Sequence, residues 1–144
     1  MRKKTINFIE ITLIVIFIII LFFFSLWLLE RGKLRADDAR KLADIKKIQS
    51  ALALYYHENN DYPEVLEVGK ALQNKGKIYL DTIPRPPVSK GSCASNLDYN
   101  YTKRVEGDRA SSYFLEYCLS QDSADIPAGL NTATPQGISL KKIN

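Results

Sequence analysis

The sequence has few of the residues from which catalytic and metal sites are built. It contains one histidine, His57, and two cysteines, Cys93 and Cys118, among 144 residues. It has no CxxC pair, no GxSxG motif, no glycine-rich phosphate loop and no close pair of acids in an apolar setting. Neither the number nor the spacing of these residues suits zinc. We therefore do not expect an enzyme, and we expect no bound cofactor.

A concentrated charge of one sign is also missing. The chain has 20 basic and 16 acidic residues, a formal net charge of +4, and the two signs are interspersed along the sequence. A nucleic-acid-binding surface needs basic residues gathered into a patch or a stripe. Nucleic acid is therefore not an expected partner.

What the chain does have is one long apolar run, from Ile6 to Leu29. The 19 residues from Ile11 to Leu29 would span about 28 Å as a helix at about 1.5 Å each, close to the roughly 30 Å of a bilayer's hydrocarbon core. A cleavable secretory signal has a shorter apolar region that ends in small residues, whereas this run ends in Leu28 and Leu29. We predict a cytoplasmic leader over residues 1–5 and a transmembrane helix over residues 6–29, with the lipid bilayer as a partner.

The charges on the two sides of this helix give conflicting indications of its orientation in the membrane. Arg2, Lys3 and Lys4 precede it, but Arg31, Lys33 and Arg35 follow it closely, so a positive-inside count favours a cytoplasmic C-terminal part. Large domains often translocate regardless of charge, and the two cysteines could pair in an oxidising compartment. We expect the N-terminus in the cytoplasm and the remainder outside it.

The segment after the apolar run has the pattern of an amphipathic helix. Its apolar residues recur at helical spacing and are Leu34, Leu42, Ile45, Ile48, Leu52 and Tyr55 or Tyr56. The charged face is expected to be solvated, with Asp37 pairing with Lys41. Asn59 to Pro63 should end the helix. We assign residues 30–62 to this amphipathic half and residues 63–144 to a globular head.

In the head, alternation predicts a hairpin of strands over 97–102 and 113–119. A short helix is expected over residues 63–73, an irregular stretch over 121–135 and a last strand over 138–143. The two cysteines are separated by 25 positions, and the exported topology favours a Cys93–Cys118 disulfide over two reduced thiols. The fold class is α+β, a small antiparallel sheet packed on the long helix.

Two stretches resemble one known family. The N-terminal Lys3-Lys4-Thr5-Ile6-Asn7-Phe8-Ile9-Glu10-Ile11, followed by the apolar helix, resembles the class III signal of type IV pilins and type II secretion pseudopilins. The sequence ADDARKLADIKKIQSALALYY from Ala36 to Tyr56, followed by Asp61-Tyr62-Pro63, is similar to a stretch common in bacterial pilin-like proteins. The resemblance covers roughly the first 65 residues, and it implies a pilin-like fold.

The resemblance also assigns roles to residues. It aligns Glu10 with the family's glutamate at mature position five, so that prepilin peptidase would cut after Thr5 and Ile6 would become the N-methylated first residue. Glu10 would neutralise the amine of a neighbouring subunit and set the register of a filament. The expected partners are other pilin-like subunits, in a homo- or hetero-polymer, and an inner-membrane assembly platform. The implied location is the bacterial inner membrane and, after assembly, a cell-surface filament.

Two further features stay open at this point. Thr5 stands where the family has Gly, so an alternative is a single-pass, membrane-anchored pilin-like protein that binds a partner without polymerising. Some secretion pseudopilins bind calcium in an acidic loop late in the head, and the segment with Asp122 and Asp125 is faintly similar. Calcium takes about six to eight oxygen ligands, so a solvated turn is the competing interpretation.

Overall fold

The computed structural model describes residues 8–88, 93, 98–106, 109–123 and 125–139. The chain divides into two compact units between Lys33 and Leu34. One helix, α1 (Phe8–Asn59), supplies most of the first unit and begins the second. The second unit adds six strands to it, so the architecture is α+β as the sequence predicts.

Helix α1 ends where its sequence predicts. Asn60 adopts a left-handed backbone conformation, with φ of 53°, and its N–H donates to the carbonyl of Tyr56 at 2.8 Å. Asparagine tolerates this conformation better than most residues, and the bond satisfies a carbonyl of the last helical turn. Pro63 follows shortly after and cannot continue a helix.

A two-stranded hairpin follows, formed by β1 (Leu72–Asn74) and β2 (Lys77–Leu80). Lys75 and Gly76 connect the strands, with positive φ of 48° and 82°, the backbone that matches the twist of a tight hairpin. The predicted short helix over residues 63–73 is wrong. Gly69 has φ of 83° and donates to the carbonyl of Ile83, and the N–H of Ile83 donates to the carbonyl of Lys70, both at 2.8 Å. Apart from one turn bond from Lys70 to Glu67, these bonds join the segment to a distant one instead of forming successive helical turns.

The main sheet is antiparallel and has the strand order β3-β4-β5-β6. Its strands are β3 (Asn100–Glu106), β4 (Arg109–Leu119), β5 (Gly129–Thr134) and β6 (Gly137–Ser139). The predicted pairing of two strands is confirmed by β3 and β4, which place Tyr101 opposite Leu115. Residue 97, at which the first strand of that hairpin is predicted to begin, lies outside the described residues.

The region after β4 departs from the prediction. We expected an irregular stretch over 121–135, but β5 occupies most of its second half and pairs with β4 along five positions, Leu115 opposite Ala133 among them. Only the start of the predicted last strand, in β6, falls on described residues. The composition of β5 does not identify it as a strand, because its Gly and Asn residues are depleted in strands and typical of turns.

The core of the second unit lies between α1 and the sheet. Ile45 and Leu52 are fully buried on the helix, and Leu115 and Leu119 are buried on β4. The predicted alternation on β4 is confirmed, with Tyr113 and Tyr117 also facing inwards. The helix stripe and the sheet therefore cover each other's apolar face, the arrangement of an α+β layer.

Candidate functional site

The first candidate site is the apolar part of α1, Phe8–Leu29. All of its side chains are exposed, including the single tryptophan, Trp27, at 49%. The hydroxyl of Thr12 donates to the carbonyl of Phe8 at 2.9 Å, so this polar group is satisfied within the helix. The segment is long and apolar enough to cross a membrane. An apolar surface of this extent marks a membrane or protein interaction site.

Glu10 is the one charged residue in this apolar segment. Its side chain is exposed between Ile9 and Ile11. Among the described residues no hydrogen-bond donor or cation contacts it. The chain thus places a carboxylate on an apolar helix surface near its N-terminal end. The candidate processing residues Thr5 and Ile6 lie outside the described residues.

At the other end of the apolar segment, an aromatic ring and a cation lie together. The guanidinium carbon of Arg31 stands 4.0 Å from the centre of the Trp27 ring. This is a cation–π geometry, and the two residues are four positions apart, about one helical turn. Arg31 and Lys33 are both exposed.

The second candidate site is a buried ion pair that sequence reasoning missed. Asp38 is 2% exposed and Lys41 is 1% exposed, and Lys41 Nζ lies 3.1 Å from Asp38 Oδ1. The predicted partner of Lys41, Asp37, is wrong. Positions 41 and 38 lie four and seven residues before Ile45, about one and two turns back along the buried stripe of α1, and this spacing is the signal that could have identified them.

This pair bonds to the end of β4. Lys41 Nζ donates to the carbonyl of Cys118 at 3.0 Å. The backbone N–H groups of Ser120 and Gln121 donate to the two carboxylate oxygens of Asp38, at 3.0 and 2.9 Å. Both buried charges are therefore paired and hydrogen-bonded, the condition under which burying them is tolerated. The pair fixes the position of α1 along β4.

Cys118 also carries the predicted disulfide, which is confirmed. It is bonded to Cys93, with the two Cα atoms 5.7 Å apart, and both residues are buried. The bond attaches Cys93 to β4, one of the two inner strands of the sheet. Its location one residue before Leu119, a fully buried core residue, makes it a structural crosslink.

Asp122 and Asp125, the calcium candidates, are both exposed. Asp122 Oδ1 accepts a hydrogen bond from the N–H of Ala128 at 2.7 Å, and Ser123 and Ile126 exchange two backbone bonds within the same loop. Within the described ranges no three His, Cys, Asp or Glu side chains come together as a metal site would require. The calcium site stays a prediction.

Tyrosines fill much of the remaining core. Burial raises the pKa of Tyr113 and of Tyr117 to about 12. Burial raises the pKa of Tyr99 further, and its hydroxyl donates to Asp44 at 3.0 Å. Tyr62 lies against Tyr113, with ring centres 5.0 Å apart at an edge-to-face angle. Because burial strongly favours the neutral form of these phenols, we assign the buried tyrosines a packing role.

Comparison with known proteins does not identify the chain: no protein-family model, no curated protein and no solved structure matches it.

Proposed function

We propose that this chain is a pilin-like structural subunit of a type IV pilus or of a type II secretion or competence pseudopilus. It is held in the bacterial inner membrane with its head outside the cytoplasm, and it assembles by helix packing. The observation that carries the proposal is the difference in burial between two segments of α1. Its segment Phe8–Leu29 is exposed throughout, whereas Ile45, Ile48 and Leu52 are buried against a disulfide-bonded sheet.

An exposed apolar helix needs a partner outside its own chain. Before assembly the partner is lipid, and in a filament it is the same segment of other subunits. Helices that associate from lipid exchange lipid contacts for protein contacts without exposing apolar surface to water. The apolar segment can therefore serve both states without a change in its sequence or its helical structure.

Glu10 supports the filament over a simple anchor. An ionised side chain costs about 2.5 to 3.5 kcal/mol at the centre of a membrane helix on insertion scales, and less near the end of the helix, where Glu10 lies. Opposite charges about 4 Å apart at an effective dielectric near 20 attract by about 4 kcal/mol. The amine of a neighbouring subunit, freed by cleavage between Thr5 and Ile6, would offset the burial of the carboxylate. The pairing would also fix the axial position of one subunit relative to the next.

The first experiment is mass spectrometry of the mature N-terminus of native protein. The proposal requires a chain that begins at N-methylated Ile6 in cells that contain prepilin peptidase. A chain that keeps the leader through Thr5 would support the alternative, a single-pass membrane-anchored protein that binds a partner and does not polymerise. The presence of Thr5 at the position before the cut is what favours that alternative.

The second experiment measures assembly directly. Cells expressing the wild-type chain should release it into the sheared filament fraction, and Glu10→Gln should reduce that fraction at least tenfold while total membrane protein stays constant. Thr12→Val is the matched control, because it removes a polar group at nearly the same depth whose hydroxyl bonds only to its own helix. Equal assembly of Glu10→Gln and wild type would refute the role given to the carboxylate.

A further inference from the structure

The cations that follow the apolar segment have no part in the filament argument. They also conflict with the positive-inside count for an exported head. Arg31 and Lys33 are exposed, and within the part of the chain that the structure describes neither forms an ion pair with another side chain. Their location relative to the bilayer suggests another use.

The depth of these residues follows from helix geometry. If Ile11 to Leu29 fill the hydrocarbon core, Arg31 and Lys33 extend about 3 and 6 Å beyond it, at about 1.5 Å per residue. Each headgroup layer is about 5 to 7 Å thick. The backbone of both residues therefore lies at the depth of the headgroups, within reach of the lipid phosphates for their long side chains.

The ring of Trp27 supports the same depth. Tryptophan concentrates at the boundary between hydrocarbon and headgroups, because its ring is apolar and its N–H is polar. The Arg31 guanidinium lies 4.0 Å from the centre of this ring. The contact holds the charge against the Trp27 ring, at the boundary between hydrocarbon and headgroups. Guanidinium groups bind phosphate oxygens in two-point geometry.

We infer that Arg31 and Lys33 form a binding surface for anionic phospholipid headgroups around the end of the apolar segment. The inference rests on the membrane location in the proposed function but not on filament assembly. It assigns the basic residues after the apolar run to contact with lipid headgroups. With that role they can lie on the outer side of the membrane, although the positive-inside count would place them in the cytoplasm. The occupant is an anionic phospholipid of the bilayer itself, favoured because the two cations outnumber the one acid of this stretch, Glu30.

The single tryptophan makes this testable on the full chain. The protein is reconstituted into phosphatidylcholine vesicles that contain either brominated phosphatidylcholine or brominated phosphatidylglycerol, and quenching of Trp27 gives the relative association constant of each lipid. We expect phosphatidylglycerol to be favoured about two- to fivefold at low salt. The preference should decrease in about 1 M salt, where the screening length falls to about 3 Å.

The variant Arg31→Gln/Lys33→Gln should bring the ratio of the two constants to about one. Because each ratio is measured within one variant, a change in Trp27 emission caused by removing Arg31 cancels. The control Lys46→Gln/Arg85→Gln removes the same charge from two exposed positions of the second unit and should keep the preference.

The outcomes separate the two claims. Equal binding of the two lipids by the wild-type chain, or equal loss of preference in both double variants, would overturn the headgroup surface and leave the membrane location intact. Absence of quenching by either lipid would overturn the membrane location and this inference with it. The first two results leave the Glu10 assembly experiment unaffected, whereas the third would also remove the membrane premise of the Glu10 argument.

Discussion

Replacing Lys41 by methionine should strongly destabilise the second unit. The side chain is similar in size, so the change mainly removes the charge. Asp38 would remain 2% exposed with no cation, and the Cys118 carbonyl would lose its donor. Breaking a buried ion pair by removing one partner costs about 3 to 5 kcal/mol.

The measurement is urea unfolding of the full chain in mild detergent, followed by near-ultraviolet circular dichroism. All 8 tyrosines lie between Tyr55 and Tyr117, so the tyrosine part of this signal reports on the second unit. With a urea dependence of about 2 kcal/mol per molar, the midpoint should fall by about 1.5 to 2.5 M. Lys47→Met, at an exposed position of the same helix, should change the free energy of unfolding by less than about 0.5 kcal/mol.

A double-mutant cycle tests the cause of the loss. If the unpaired carboxylate is responsible, Asp38→Leu combined with Lys41→Met should be less destabilising than the sum of the two single changes by at least about 2 kcal/mol. It should not restore full stability, because the N–H of Ser120 would then lack its acceptor. Strict additivity, or a Lys41→Met midpoint within error of wild type, would refute the assignment of the pair as a structural lock.

Two further predictions concern the head. Replacing Cys93 and Cys118 together by alanine should lower the free energy of unfolding by about 3 kcal/mol, from the chain entropy of a loop closed across 25 positions; equal stability of the variant and wild type in urea would contradict this. Because the pKa values of Tyr113 and Tyr117 are raised to about 12 from 10.0, their contribution is fully present below pH 10 and is lost as the pH rises towards 12. A spectrophotometric titration should show these phenols ionising only as the head unfolds, and ionisation of all tyrosines near pH 10 in a folded head would refute the argument.

The long helix and one hairpin could be predicted because their signals are local and periodic. The apolar run needs no tertiary context, and the stripe through Ile45, Ile48 and Leu52 repeats at helical spacing over several turns. The stop at Asn60 likewise depends on one residue's own backbone preference. Each of these features is encoded within a few neighbouring positions.

The misses depend on partners distant in sequence. Residues 63–73 have an acceptable helical pattern, but Gly69 bonds to Ile83 instead. Strand β5 forms because it pairs with β4, and this pairing cannot be predicted from the composition of β5. Asp38 and Lys41 are charged, and a hydrophobic pattern assigns charged residues to the solvated face. Their burial can be predicted only when the opposite charge and the backbone hydrogen-bond partners are known.

The location of the Asp38–Lys41 pair has a mechanical consequence. Of the described bonds between side chains of α1 and the sheet, those of this pair lie nearest in sequence to the apolar segment. Tension applied to that segment would reach the end of β4 first, at Cys118 and Ser120. The load would then pass directly into this disulfide-bonded inner strand, so that the helix would not separate from the sheet turn by turn.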